Sequence, residues 1–185
     1  ANGQVLLQSN VRIVHNIVPG ANFTIRSIPG DQGLPTGERY LKTRLNSGGQ
    51  FFAFTFLAVR TLPNSRRVVS SVSFDTARPP GAEGVGFGEL PTDNVRVDLI
   101  AEGAVVASYT GAALRALRKP PPVGGGPDPA TYTFTTGDPE NPTFDELRVN
   151  AIDGPNPFFR IDNLTFVLPP NNFGDIVEPR LWGAV

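Results

Sequence analysis

Histidine occurs once in these 185 residues, at His15, and cysteine not at all, which removes most templates for acid–base and metal chemistry before any fold is considered. A Ser-His-Asp triad or a multi-histidine zinc site would need His15 or could not exist. Without cysteine there is no thiol nucleophile, thiolate metal site or disulfide framework. His15 lies in VRIVHNIV, an alternating stretch where a lone histidine reads as an exposed or hydrogen-bonded strand residue rather than a catalyst. Carboxylates remain. Glycoside hydrolysis needs two acids roughly 5 to 10 Å apart, and adjacency of two strands would bring Asp145 or Glu146 near Asp162. The competing reading is that acids at outward strand positions simply face water.

Oxygen ligands suited to calcium recur in predicted loops: Asp75 with Thr76, Asp93 with Asn94, Asp138 with Glu140, and Asp153. None forms the spaced acidic loop of an EF-hand. Asp and Asn are equally expected in turns, because their side chains bond nearby backbone, so calcium is one reading and turn chemistry the other. Loops near Asp75, Asp93, Asn94 and Tyr109 are the candidate glycan contacts. Glycan recognition favours exposed Trp and Tyr, whereas this chain has one Trp and three Tyr against 13 Phe, a supply suited to burial. Asn22-Phe23-Thr24 and Asn163-Leu164-Thr165 match the N-glycosylation pattern. Asn22 is the expected acceptor, because Asn163 falls within a predicted core strand.

These residues must be positioned by strands. From Gln50 to Thr76 the chain alternates, with Phe52, Phe54 and Phe56 on one face and Phe51, Ala53, Thr55, Leu57 and Val59 on the other, so a strand buried on both sides is expected. Leu62-Pro63-Asn64-Ser65 marks the turn after it. Ser47-Gly48-Gly49 reads as the turn of a hairpin joining 38–46 to the Phe-rich strand. Residues 94–101 and 104–109 read as a second hairpin around Glu102-Gly103. Further strands are expected over 131–136, 144–152 and 158–168, the last with an irregularity near Asn163. The similar rhythm of FDELRVNA and FRIDNLTF suggests antiparallel neighbours. One short helix is expected over 111–119, with Thr110 as its cap and Arg118 and Lys119 near its end. Residues 78–93 read as a breaker-rich loop with a short strand near Val85 and Phe87, lacking the helix and Lys-Ser pair of a phosphate loop; 120–130 read as a Pro/Gly-rich loop.

The 20 glycines and 19 prolines are spread between apolar runs, as many turns require. The expectation is one all-β domain over 1–185, a two-sheet antiparallel β-sandwich of jelly-roll type. A net charge of −1 with scattered charges gives no footprint for nucleic acid or an anionic membrane, and no apolar run nears the roughly 18 residues of a membrane span. Arginine supplies 14 of the 16 basic residues, which reads either as planar contacts at interfaces or as the mark of a GC-rich genome. The start, Ala-Asn-Gly with no methionine, fits cleavage after a small residue and so secretion.

The segments SVSFDT, VRVDLIAEGAVVAS, FDELRVNA and FFRIDNLTFVLPP together resemble the C-terminal half of secreted bacterial β-sandwich proteins of the PEP-CTERM-associated type, over roughly residues 68 to 185. The resemblance implies a jelly roll closed by an aromatic strand, and a role at the surface, in exopolysaccharide or in matrix without enzymatic activity. The resulting expectation is a non-catalytic structural or adhesive module, secreted or at the cell surface, that self-associates or binds other extracellular proteins. Strand addition by residues 1–18 could build a filament or layer; an ordinary first strand is the competing reading. The alternative function is a carbohydrate-binding module, with calcium as the one candidate cofactor, and a polysaccharide-cleaving enzyme ranks third.

Overall fold

The computed structural model describes residues 5–8, 10–16, 24–27, 39–45, 48–59, 62, 64–77, 93–119, 130–152 and 158–169. In chain order the strands are β1 (Val5–Gln8), β2 (Val11–His15), β3 (Thr24–Ser27), β4 (Arg39–Arg44), β5 (Phe51–Phe56), β6 (Ser71–Ala77), β7 (Val95–Ala101) and β8 (Ala104–Thr110). Helix α1 (Gly111–Ala116) is followed by β9 (Arg118–Lys119), β10 (Ala130–Phe134), β11 (Glu146–Ala151) and β12 (Phe158–Val167). They form two six-stranded antiparallel sheets, ordered β1-β2-β5-β11-β7-β8 in sheet A and β3-β4-β12-β6-β10-β9 in sheet B. The molecule is an all-β sandwich of jelly-roll type, because the chain passes repeatedly from one sheet to the other.

Period-two alternation builds the interior. Sheet A turns Val11, Ile13, Phe52, Phe54, Phe56, Leu147, Val149, Val95, Val97 and Leu99 inward, and sheet B answers with Val72, Phe74, Tyr132, Phe134, Ile161, Leu164 and Phe166, all buried. Aromatic rings bridge the layers. Phe56 meets Phe166 at 5.2 Å between centroids, Phe54 meets Phe74 at 6.3 Å, and Tyr109 meets Phe134 edge-on at 5.8 Å. Each buried Phe contributes about 1.5 to 3 kcal/mol from area alone, so these rings dominate the cohesion of the two layers. As its alternation implies, β5 is buried on both faces over its middle, with Ala53 2% and Thr55 3% exposed, whereas Phe51 at its start is half-buried and Val59 beyond its end is exposed.

The local turns follow their residues. Glu102 and Gly103 both have positive φ, 50° and 85°, the primed geometry that matches strand twist, and they close the β7–β8 hairpin. In β12 the register shifts between Asp162 and Thr165, and Asn163 takes φ 48° there, a conformation Asn tolerates better than branched residues. The inward set therefore switches from Ile161 to Leu164 and Phe166. Residues 5–8 and 11–15 form an ordinary hairpin whose second strand pairs with β5 of the same chain.

Several expectations are corrected. Residues 39–44 and the Phe-rich strand are not a hairpin: β4 pairs with β3 and β12, while β5 lies in the other sheet, so Gly48-Gly49 is a crossover between layers. β11 and β12 are likewise not neighbours, and their shared rhythm reflects equal positions at the centres of opposite sheets. Thr110 makes no side-chain cap bond to α1; the helix is held by Leu114, which is fully buried against the core. Residues 1–4, 78–92, 120–129 and 170–185, and with them the loops and the short strand expected there, lie outside the described residues. Among the described residues, no helix is long and apolar enough to cross a membrane.

Candidate functional site

The outward positions of β7 and β11 carry opposite charges two residues apart, Arg96 with Asp98 and Glu146 with Arg148. Strand register places Arg148 opposite Asp98 and Asn150 opposite Arg96, while Thr55 lies opposite Glu146 on the other side. The outer face of sheet A is thus a grid of planar polar groups. Asp98 accepts from Arg96 Nε at 2.9 and 3.0 Å, from Ser108 Oγ at 2.7 Å and from Asn150 Nδ2 at 2.8 Å. Glu146 accepts from Arg148 Nε at 2.9 Å and Nη2 at 2.6 Å, from Arg66 Nη1 at 3.2 Å and from Thr55 Oγ1 at 3.4 Å.

The two signs of charge are layered by depth. The Asp98 and Glu146 side chains are 3% and 9% exposed, whereas Arg66, Arg96 and Arg148 are 42%, 49% and 34% exposed. Acids lie beneath and guanidinium groups above. Arg148 is also braced from the side, its Cζ 4.6 Å from the centroid of the Phe51 ring, a cation–π contact. Arg66 is delivered by the connection after β5. There Leu57 bridges Arg66, and Ser65 Oγ accepts from Val59 N–H at 2.9 Å and donates to Leu62 C=O at 2.8 Å, closing the Leu-Pro-Asn-Ser turn.

Asp145 immediately precedes β11. Burial pushes its carboxyl above the ordinary range, against the lowering influence of Arg66 and of a hydrogen bond from the Glu102 backbone. Its Oδ1 lies 3.9 Å from Arg66 Nη1, the same atom that reaches Glu146. The expected approach of Asp145 or Glu146 to Asp162 does not occur as strand adjacency: β11 belongs to sheet A, and Asp162 sits in sheet B opposite Asp75.

The remaining sequence candidates are dispersed. Asp75 lies on the outer face of sheet B, accepting from Thr131 Oγ1 at 2.6 Å and Asn163 Nδ2 at 2.8 Å. Beside it Ser73 and Thr133 share a hydroxyl bond of 2.8 Å. Asp93 pairs with Arg115 at 2.7 Å before β7, with Asn94 next to it. Tyr109 is turned inward, its ring against Phe134 and its hydroxyl donating to the Thr135 carbonyl, so it does not offer a face to ligand. Asp138 accepts from Glu140 N–H at 2.8 Å and Asn141 Nδ2 at 3.0 Å, which hold its carboxyl below the ordinary range, the Asn141 bond first. That is the turn chemistry weighed against calcium. Among the described residues no group of three or more His, Cys, Asp or Glu could hold a metal ion; Asp153 and Asn22 lie outside them. His15 is placed in β2 opposite Phe52.

Sequence reasoning missed Arg66, Arg96, Arg148, Ser108 and Asn150. The available signal was the pairing of opposite charges at i and i+2 in two alternating strands, which predicts one charged face once both strands share a sheet.

No protein-family model matches the chain, and no curated protein matches it. Among solved structures it is similar to the enzymatically active domain of tailspike protein 4 from bacteriophage CBA120, at 15% identity and a TM-score of 0.40. The match covers 91% of this chain and 20% of that one, so the chain spans about a fifth of the length of that solved chain.

Proposed function

We propose that this chain is a non-catalytic adhesive module of a cell surface or extracellular matrix, and that it adheres to polysaccharide through the outer face of sheet A. The observation carrying this reading is the depth ordering of that face. The carboxylates lie beneath, with their oxygens already taken up by hydrogen bonds to neighbouring side chains, so the groups this face turns outward are the guanidinium donors. The arginines above them are held in place before any ligand arrives, which lowers the entropy lost on binding. A flat, preorganised array of donors suits a chain of hydroxyl and carboxyl acceptors laid across the strands.

The test is binding of the full chain to a panel of neutral and acidic polysaccharides, with release of reducing ends assayed in parallel. Retention on at least one polymer without new reducing ends supports the reading. Cleavage of any polymer replaces it with the polysaccharide-cleaving alternative, for which Asp145 beside Glu146 is the pair to examine. Failure to bind every polymer removes it.

A further inference from the structure

The chemistry of the ligand can be narrowed by asking which atoms of the grid still have hydrogen-bonding capacity. Among the described residues, Asp98 and Glu146 spend their oxygens on Arg66, Arg96, Arg148, Ser108, Asn150 and Thr55. The bonds of Arg96 to Asp98 use Nε and Nη2, and those of Arg148 to Glu146 use the same two nitrogens, leaving Nη1 of each for a ligand. Arg66 uses Nη1 and keeps Nε and Nη2. Every unspent group of these three side chains is thus a donor, because guanidinium has five N–H groups and no acceptor.

The three residues are successive neighbours across the grid. Arg148 and Arg96 are diagonal neighbours on adjacent strands, about 7 to 8 Å apart at that position in a sheet. Arg66 follows at the Glu146 end, where it shares that carboxylate with Arg148. Each arginine forms a dipole with the acid below it, positive end outward, so attraction is short-ranged and rewards planar acceptors that reach the guanidinium edge.

We infer that the ligand of this face is an acidic polysaccharide, a polyuronate chain whose successive carboxylates dock on the outward N–H groups of Arg66, Arg148 and Arg96. The inference rests on the reading that the outer face of sheet A is the adhesive surface, and adds the class of polymer. A uronate supplies a planar two-oxygen acceptor on a repeating unit. A neutral glycan offers hydroxyls that bring their own donors, and these find few free acceptors on the grid.

The experiment is titration calorimetry of the full chain with polygalacturonate and with the same polymer fully methyl-esterified, which keeps the backbone and masks the carboxylates. Sulfated glycan and polyglutamate serve as further arms. The expected result is binding of polygalacturonate that weakens about tenfold or more on esterification, a step of about 1.4 kcal/mol. Arg66→Gln and Arg96→Gln should each weaken it about fivefold or more in protein that circular dichroism shows to be folded at the titration temperature, and Arg96→Lys should restore only part of the loss, because lysine keeps the charge but not the planar fork. Equal binding of the esterified polymer overturns the inference and leaves the adhesive reading standing with a neutral glycan. Preference for sulfated glycan or polyglutamate over polyuronate overturns it in favour of that acid. Unaltered affinity in both glutamine variants overturns the location, and no binding to any polymer removes the inference and the function together.

Discussion

Asp98 shows what the outer face of sheet A requires of a single residue. It is 2% exposed on the solvent side of a sheet, and three side chains converge on its two oxygens. Replacing it with alanine leaves Ser108 and Asn150 without their acceptor and removes the ion pair with Arg96. Asp98→Ala should therefore destabilise the fold by about 2 kcal/mol, read from urea denaturation, with Asp98→Asn intermediate. Asp145 behaves in the opposite sense. Its folded-state pKa lies above the unfolded value of 3.8, so the folded chain holds that proton more tightly and the ionised form opposes folding at neutral pH. The opposition is relieved as pH falls through the raised pKa toward the unfolded value. Asp145→Asn is expected to raise the urea midpoint at neutral pH, with the gain over the parent shrinking on acidification to about pH 4; a variant less stable at neutral pH would contradict this account.

At the scale of elements, the irregular step in β12 depends on Asn163, which combines a positive φ with a bond to Asp75. Asn163→Gly keeps the backbone freedom and loses the bond, whereas Asn163→Val loses both and adds strain, because branched residues fit that region poorly. The expected order of melting temperature is parent, then glycine, then valine. The same element shows what could be read in advance. The irregularity near Asn163, the Glu102-Gly103 hairpin and the two-sided burial of β5 all follow from patterns within about ten residues, where alternation and turn chemistry act. The supposed hairpin of 39–44 with the Phe-rich strand, and the supposed contact of β11 with β12, concern which sheet a strand enters. Local alternation is the same in either sheet, so that choice is made by the long-range fit of the aromatic rings. The arginine face was hidden for this reason: its charges are ordinary outward residues until register sets Arg148 opposite Asp98.

For the molecule as a whole, Phe74 is a junction. Its ring contacts Phe54 of sheet A and Tyr132 and Phe134 of its own sheet, at centroid distances of 6.3, 6.4 and 5.4 Å. Phe74→Ala should cost about 3 to 5 kcal/mol, measured by guanidinium denaturation. Because the cavity would be shared by both layers, fluorescence and circular dichroism should still report one coincident transition. Separate transitions would mean that the sheets are independent units.

The strands at the middle of the sandwich have a consequence in time. β11 is inserted between β5 and β7, and β12 between β4 and β6, yet among the described strands these two are synthesised last. A nascent chain that has reached only residue 140 would thus own the flanks of both layers and the centre of neither, with the inward phenylalanines of β5, β6 and β10 not yet covered. Sheet A is not continuous until residue 151 has been made, nor sheet B until residue 167, so both layers close late and in close succession.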